Sequence, residues 1–173
     1  MTMVAAAVLE VLETLGVAGV RAGITGGWGI DALLRRETRL HGDVDLGIDR
    51  ADVDTAIQAL TVIGYAVMVD QRPARVELAA STGRVDLHPI AWGEDGAGRQ
   101  TGLDGEVFEY PPGSLDAAGV IGGREVRCGT PELQLAFHSH YAPREHDRRD
   151  MAELCASFDL PMPASYQRAD DRG

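Results

Sequence analysis

Lysine is missing altogether: all 16 basic residues among the 173 are arginines. That excludes every chemistry built on an ammonium nucleophile, a Schiff base or a lysine laid against phosphate. It also excludes the Tyr–Lys dyad of a reductase. Cysteine is nearly as scarce. Cys128 and Cys155 lie far apart and outside any CxxC pattern, so a disulfide scaffold and a zinc ribbon are excluded and two reduced, part-buried thiols remain. No apolar run approaches the ~20 residues of a membrane span. The stretch Met3 to Leu9 has no basic residue before it, and Glu10 and Glu13 interrupt it at helical spacing. It therefore reads as the first helix of a cytoplasmic protein rather than as a signal peptide. Positive charge is short as well, with 27 acidic residues and a net charge of −11. Such a chain repels nucleic-acid backbones, which disfavours a DNA or RNA partner, and it attracts cationic small molecules.

What is present suits one soluble domain. The hydrophobic fraction is 45% and glycine is abundant at 21 residues, a sign of many turns or of close backbone approach to a ligand. Val4, Val8, Leu9, Val11, Leu12 and Leu15 have spacings that suit an amphipathic helix. An apolar segment, Val20 to Ile24, runs into a glycine turn, and Ile30, Leu33 and Leu34 mark a helix reaching about Arg36. Val44, Leu46 and Ile48 alternate with Asp43, Asp45 and Asp49, the period of a half-buried strand. A helix from Asp52 to Ile63 follows. Tyr65–Val69, Arg75–Ala79 and Arg84–His88 read as three strands. Residues 91–105 read as a loop, followed by short strands at Val107–Tyr110 and Glu125–Arg127. Thr130-Pro131-Glu132 opens a helix expected to reach about Tyr141, and another runs from about Pro143 to Phe158. The expected class is α+β: a mixed sheet with helices packed on one face, plus a C-terminal helical pair. Residues 1–128 form the core, 129–160 the helical pair and 161–173 a disordered tail.

The most informative segment is His41-Gly-Asp-Val-Asp-Leu46. On a strand Asp43 and Asp45 project to the same side, with α-carbons ~7 Å apart. Two converging carboxylates repel unless a cation lies between them, and hard oxygen ligands suit Mg²⁺. An isolated pair of this kind is commonly only a solvated strand face. Asp86, set among Val85, Leu87 and Ile90, changes the odds. If its strand lies beside the first, three carboxylates meet, enough for two ions ~3.5–4 Å apart.

The turn Thr25-Gly26-Gly27-Trp28 lies between a strand and a helix, where backbone N–H groups and the helix N-terminus favour phosphate. Its spacing does not fit the G-x-G-x-x-G of a dinucleotide site. Trp28 is either a core anchor or a base-stacking platform, and Asp31 has the place of a first-turn helix carboxylate. His138 and His140 diverge on a helix and make poor joint ligands. His88 shares a strand face with Asp86, either tuning a carboxylate, orienting substrate or bonding structurally. The arginine-rich run 144–149 is either a solvated helix face or a phosphate-neutralising patch.

Taken together, Gly26-Gly-Trp-Gly-Ile-Asp31, Arg39-Leu-His-Gly-Asp-Val-Asp45 and Val85-Asp-Leu-His-Pro89 resemble the aminoglycoside 2″-adenylyltransferases and the small lincosamide nucleotidyltransferases. Both belong to the DNA-polymerase-β-like nucleotidyltransferase superfamily, and the likeness extends from about residue 5 to 158. The resemblance implies a polymerase-β-like fold and an Mg²⁺-dependent enzyme using two ions. A nucleoside monophosphate, AMP foremost, would pass from ATP or another nucleoside triphosphate to a hydroxyl of a cationic small molecule such as an aminoglycoside or lincosamide. Asp43 and Asp45 match the metal pair. Asp86 matches the third carboxylate, which binds metal or takes the acceptor's proton. Thr25, Gly26 and Gly27 match the phosphate turn, and Arg39 and His41 stand where triphosphate contacts are expected. Gly27 replaces the superfamily's usual serine. The Lys-Asp pair common in the last helix of relatives is replaced by Arg144-Glu-His-Asp-Arg-Arg-Asp150, with His146 or Arg148 to supply the charge. A monomer or homodimer is expected. The rivals are a toxin-type nucleotidyltransferase acting on tRNA or protein, and a degenerate fold that only binds.

Overall fold

The computed structural model describes residues 2–139 and 143–166. In chain order the elements are α1 (Ala5–Val17), β1 (Gly23–Thr25), α2 (Gly26–Leu34), β2 (Asp43–Asp49), α3 (Val53–Val62), β3 (Ala66–Gln71), β4 (Arg75–Ala80) and β5 (Gly83–Trp92). They continue with β6 (Gly98–Thr101), β7 (Val107–Tyr110), β8 (Ala117–Ile121), β9 (Arg124–Cys128), α4 (Pro131–His138) and α5 (Glu145–Phe158). The sheet runs β3-β4-β5-β2-β1-β9-β8, and the β6–β7 hairpin extends from the end of β5. β2 lies parallel to β5 and β1 parallel to β9, whereas the remaining pairs are antiparallel. This is the mixed α+β sheet the sequence implies.

Alternation on β2 decides what each face does. Val44, Leu46 and Ile48 are buried with Val76, Leu78, Val85 and Leu87 of the neighbouring strands. Over them pack Val8, Val11 and Leu15 of α1 and Val53, Ala56 and Leu60 of α3. Burying each such side chain contributes about 1.5–3 kcal/mol, so the register of β2 is firmly set. The intervening carboxylates therefore face the other side. There the hairpin and α4 enclose a second apolar cluster of Ile90, Tyr110, Leu115 and Leu133. A third, Ile30, Met151, Leu154 and Tyr166, fastens α5 to α2.

Several elements differ from expectation. β1 is confined to Gly23–Thr25, and a 3₁₀ turn at Arg50–Asp52 precedes α3. The stretch expected as a loop holds the end of β5 and all of β6, which pairs with β7. β8 had no counterpart among the expected strands. Gly119 on β8 lies so close to α2 that a β-carbon there would stand 2.7 Å from that of Ala32, and the run Ala117-Ala118-Gly119 leaves only Val120 and Ile121 to mark a strand. Thr130 caps α4 as expected, its Oγ1 accepting from the Leu133 N–H at 3.3 Å. The helix ends at His138, while His140 and Tyr141 lie outside the described residues. Residues 161–166, expected to open a disordered tail, are placed against the helices: Tyr166 is buried and its hydroxyl donates to the His138 carbonyl at 2.8 Å. Residues 167–173 lie outside the described residues.

Candidate active site

Parallel pairing of β2 with β5 sets Asp45 opposite Asp86, Asp43 opposite Arg84 and Gly47 opposite His88. On the far side of β5, Glu77 of β4 stands opposite Asp86. These side chains share the face turned away from the main core. Asp45, Asp86 and His88 each offer one atom within 4.8 Å of the others. Asp43 shares the face but is turned aside and more exposed, its Oδ2 accepting from Arg84 Nη2 at 3.4 Å.

Asp86 is the most constrained of the group, at 8% exposure. Its Oδ2 accepts from Arg75 Nη1 at 3.3 Å, whereas Oδ1 is buried with no hydrogen-bond partner among the described residues. Burial first, and then the charge of Asp45, push its carboxyl up to about 6, with Glu77 adding and His88 and Arg75 opposing. The Nε2 of His88 lies 3.2 Å from Asp45 Oδ1. Burial acts to lower the His88 imidazole, but the hydrogen bond to Asp45 and the charges of Asp45 and Asp86 leave it above its ordinary value. Behind it, Gln100 Nε2 donates to His88 Nδ1 at 2.9 Å, and the Tyr110 hydroxyl donates to Gln100 Oε1 at 2.8 Å. An ionised carboxylate oxygen buried without a donor calls for a cation. With a second carboxylate in reach, the oxygen set fits Mg²⁺.

The glycine turn closes one side of the site. Gly26 opens α2 with φ +61°, and a β-carbon there would run into the Asp45 carboxylate. Both the left-handed backbone and the close approach require glycine. At Gly27 a β-carbon would stand 2.5 Å from His41 Nδ1 and 2.6 Å from Arg39 Nη2, which accounts for the missing serine: there is no room for its side chain. Thr25 is buried at the end of β1, and its hydroxyl makes no cap to the helix.

Arg39 reaches the turn from one side while holding Asp150 of α5, with Nε and Nη2 each 3.0 Å from Oδ2. His41 is buried, its Nε2 2.6 Å from Asp31 Oδ2 and its ring centroid 4.8 Å from that of Trp28. Asp31 also accepts from the Thr38 N–H and hydroxyl. Trp28 is 2% exposed and is thus a core anchor. In α5, Asp147 accepts from the Arg144 N–H at 2.9 Å and Arg148 bonds the Tyr166 carbonyl, so part of the arginine-rich run is structural.

Beside the carboxylates opens a cavity of about 560 Å³, lined among others by Thr25, Gly26, Asp45, His88, Asp104 and Phe137. Its wall is aromatic, from Phe108, Tyr110 and Phe137, and Glu106 adds a second rim carboxylate beside Asp104. The sequence pattern did not single out Arg75, Glu77, Gln100 or Tyr110. Arg75 and Glu77 alternate with buried Val76 and Leu78, which was a usable signal; Gln100 had none.

The family model for aminoglycoside-2″-adenylyltransferase matches residues 7–154. The chain belongs to this family. It is a nucleotidyltransferase family, and its members use a nucleoside triphosphate and a metal. A lincosamide resistance protein of Staphylococcus haemolyticus is 33% identical over 132 residues, covering 76% of this chain and 81% of that protein. A 2″-aminoglycoside nucleotidyltransferase of Escherichia coli is 34% identical over 126 residues, 69% of this chain and 63% of that relative's length. Among solved structures, a lincosamide antibiotic adenylyltransferase with lincomycin bound superposes with a TM-score of 0.78 at 30% identity, over 89% of this chain and 98% of that one. No helix among the described residues is long and apolar enough to cross a membrane.

Proposed function

We propose that this nucleotidyltransferase moves a nucleoside monophosphate, AMP in our reading, from a nucleoside triphosphate to a hydroxyl of a small amphipathic cation, a lincosamide or an aminoglycoside. The observation that carries the reading is the buried, donor-less Oδ1 of Asp86, set beside Asp45, which lines the cavity. Mg²⁺, two ions in this reading, would be held by Asp45, Asp86 and, once released from Arg84, Asp43, and would offset the charge of the triphosphate and the departing pyrophosphate.

This chain's own groups do the rest. The N–H groups of Gly26 and Gly27 at the start of α2 meet phosphate oxygens, with Thr25 beside them and Arg39 contributing charge. His41 braces the turn through Asp31 and packs against Gly27. The acceptor hydroxyl oxygen forms a bond to the α-phosphorus as the bond to pyrophosphate breaks, and its proton passes to Asp86. Phe108 and Phe137 would hold the apolar part of the acceptor, and Asp104 and Glu106 its ammonium group. Residues 129–160 complete the site as part of one domain with 1–128, since α5 supplies the partner of Arg39. All three carboxylates come from one copy, so a monomer suffices and a homodimer is compatible. A cytoplasmic location, where nucleoside triphosphate is plentiful, accords with this activity.

The test is mass spectrometry of an antibiotic panel after incubation with each nucleoside triphosphate and Mg²⁺. A gain of one nucleoside monophosphate on a lincosamide or aminoglycoside is expected. No gain on any compound with any nucleotide refutes the proposal, and labelling of tRNA or protein instead replaces the acceptor.

A further inference from the structure

We infer that His88 is a positioning residue: held in one tautomer by Gln100, it fixes the Asp45 carboxylate and is not itself a metal ligand. By distance alone His88 completes a three-residue ligand cluster with Asp45 and Asp86. The hydrogen-bond directions say otherwise.

The deciding group is a backbone carbonyl. Gln100 Nε2 lies 3.2 Å from the Ala74 carbonyl oxygen, which can only accept. Turning the amide over would set two acceptors against each other, so the Gln100 nitrogen faces Ala74. That same nitrogen is 2.9 Å from His88 Nδ1, which must therefore accept. On the other end of the amide, the Tyr110 hydroxyl donates to Oε1 at 2.8 Å, so the orientation is satisfied at every contact. Gln100 and Tyr110 are both buried, which makes each of these bonds expensive to break. A neutral imidazole that accepts at Nδ1 carries its proton on Nε2. Nε2 then donates to Asp45 Oδ1 at 3.2 Å and has no lone pair for a metal.

The consequence falls on the second oxygen of Asp45. With Oδ1 tied to His88, Oδ2 is directed at Gly26, the side on which the nucleotide phosphates enter in the proposed reaction. Rotation about the Asp45 side chain would exchange the two oxygens or swing both away. His88 prevents it, and the β6–β7 hairpin holds His88. Such outer contacts to a ligating carboxylate typically contribute 10–100-fold to metal affinity. This inference rests on the reading of Asp45 as a metal-holding carboxylate.

Two measurements test it on the full chain. Imidazole ¹⁵N shifts of His88 in the metal-free wild type, taken in the alkaline limit, are expected to show a bare Nδ1 and a protonated Nε2; the opposite tautomer overturns the inference. Mn²⁺ alone, titrated by electron paramagnetic resonance, is expected to bind Gln100→Leu about 10–100-fold more weakly than wild type. Asp45→Asn is the reference in the same titration. If it binds Mn²⁺ as wild type does, the metal reading fails and takes the inference with it. If Asp45→Asn loses Mn²⁺ while Gln100→Leu binds it as tightly as wild type, the positioning role alone is refuted.

Discussion

Exchanging Asp86 for asparagine in the metal-free protein separates what this residue does for function from what it costs the fold. The folded carboxyl titrates at about 6 against an ordinary 3.8, chiefly through burial and then through Asp45. A raised carboxyl means that the folded chain holds a proton the unfolded chain has lost. Stability is then complete below 3.8 and declines as pH rises through about 6. At 1.36 kcal/mol per pH unit the full loss is about 3 kcal/mol, and about half of that once solvent in the open cavity screens the pair. Asparagine keeps the shape and discards the charge. Asp86→Asn is therefore expected to be more stable than wild type by about 1.5–3 kcal/mol near pH 8 and indistinguishable from it near pH 4. Urea melts at both pH values, with chelator present, give the difference directly. A variant that is less stable than wild type near pH 8 would refute the reasoning, because Asp86 would then be a stabilising ion-pair partner of Arg75 rather than an unmet charge.

Adding Mg²⁺ near pH 8 should raise the wild-type melting temperature and leave Asp86→Asn little changed, since binding to the folded form alone stabilises by about 2.7 kcal/mol at 100 times the dissociation constant; equal shifts in both proteins would place the ion elsewhere. Gly26→Ala should lose turnover and about 1–2 kcal/mol of stability, because the left-handed backbone is strained for alanine and the new β-carbon displaces Asp45; calorimetry and a turnover assay check it. Gly27→Ser, though it restores the residue usual in the superfamily, should lower stability and activity by crowding His41 and Arg39, and unchanged melting would contradict the packing described. His41→Ala leaves Asp31 buried with one partner fewer and should cost about 1–3 kcal/mol, measured by denaturant unfolding.

The parts of the site carried by local pattern were legible in the sequence. Val44, Leu46 and Ile48 fixed which way Asp43 and Asp45 point, and the apolar neighbours of Asp86 did the same on β5. What the pattern did not reveal arises from pairing between distant segments. Gln100 stands in a Gly- and charge-rich stretch with no period of its own, and only the hairpin of β6 with β7 brings it behind His88. β8 was illegible because α2 crosses it closely at Gly119, and its first three residues, Ala117, Ala118 and Gly119, carry no strand pattern. The turn of Asp43 toward Arg84 is a rotamer, set by a neighbour on another strand. His41 was expected among the triphosphate contacts; its burial against Trp28 and Asp31 depends on tertiary packing that no local pattern shows.

Pyrophosphate release, followed for wild type, Asp45→Asn and Asp86→Asn with ATP, Mg²⁺ and a lincosamide or aminoglycoside, bears most directly on the two strand carboxylates as the seat of the chemistry. Release by wild type that depends on both Mg²⁺ and acceptor, and that disappears in both folded variants, is the expected result. Release at the wild-type rate from either variant would contradict it.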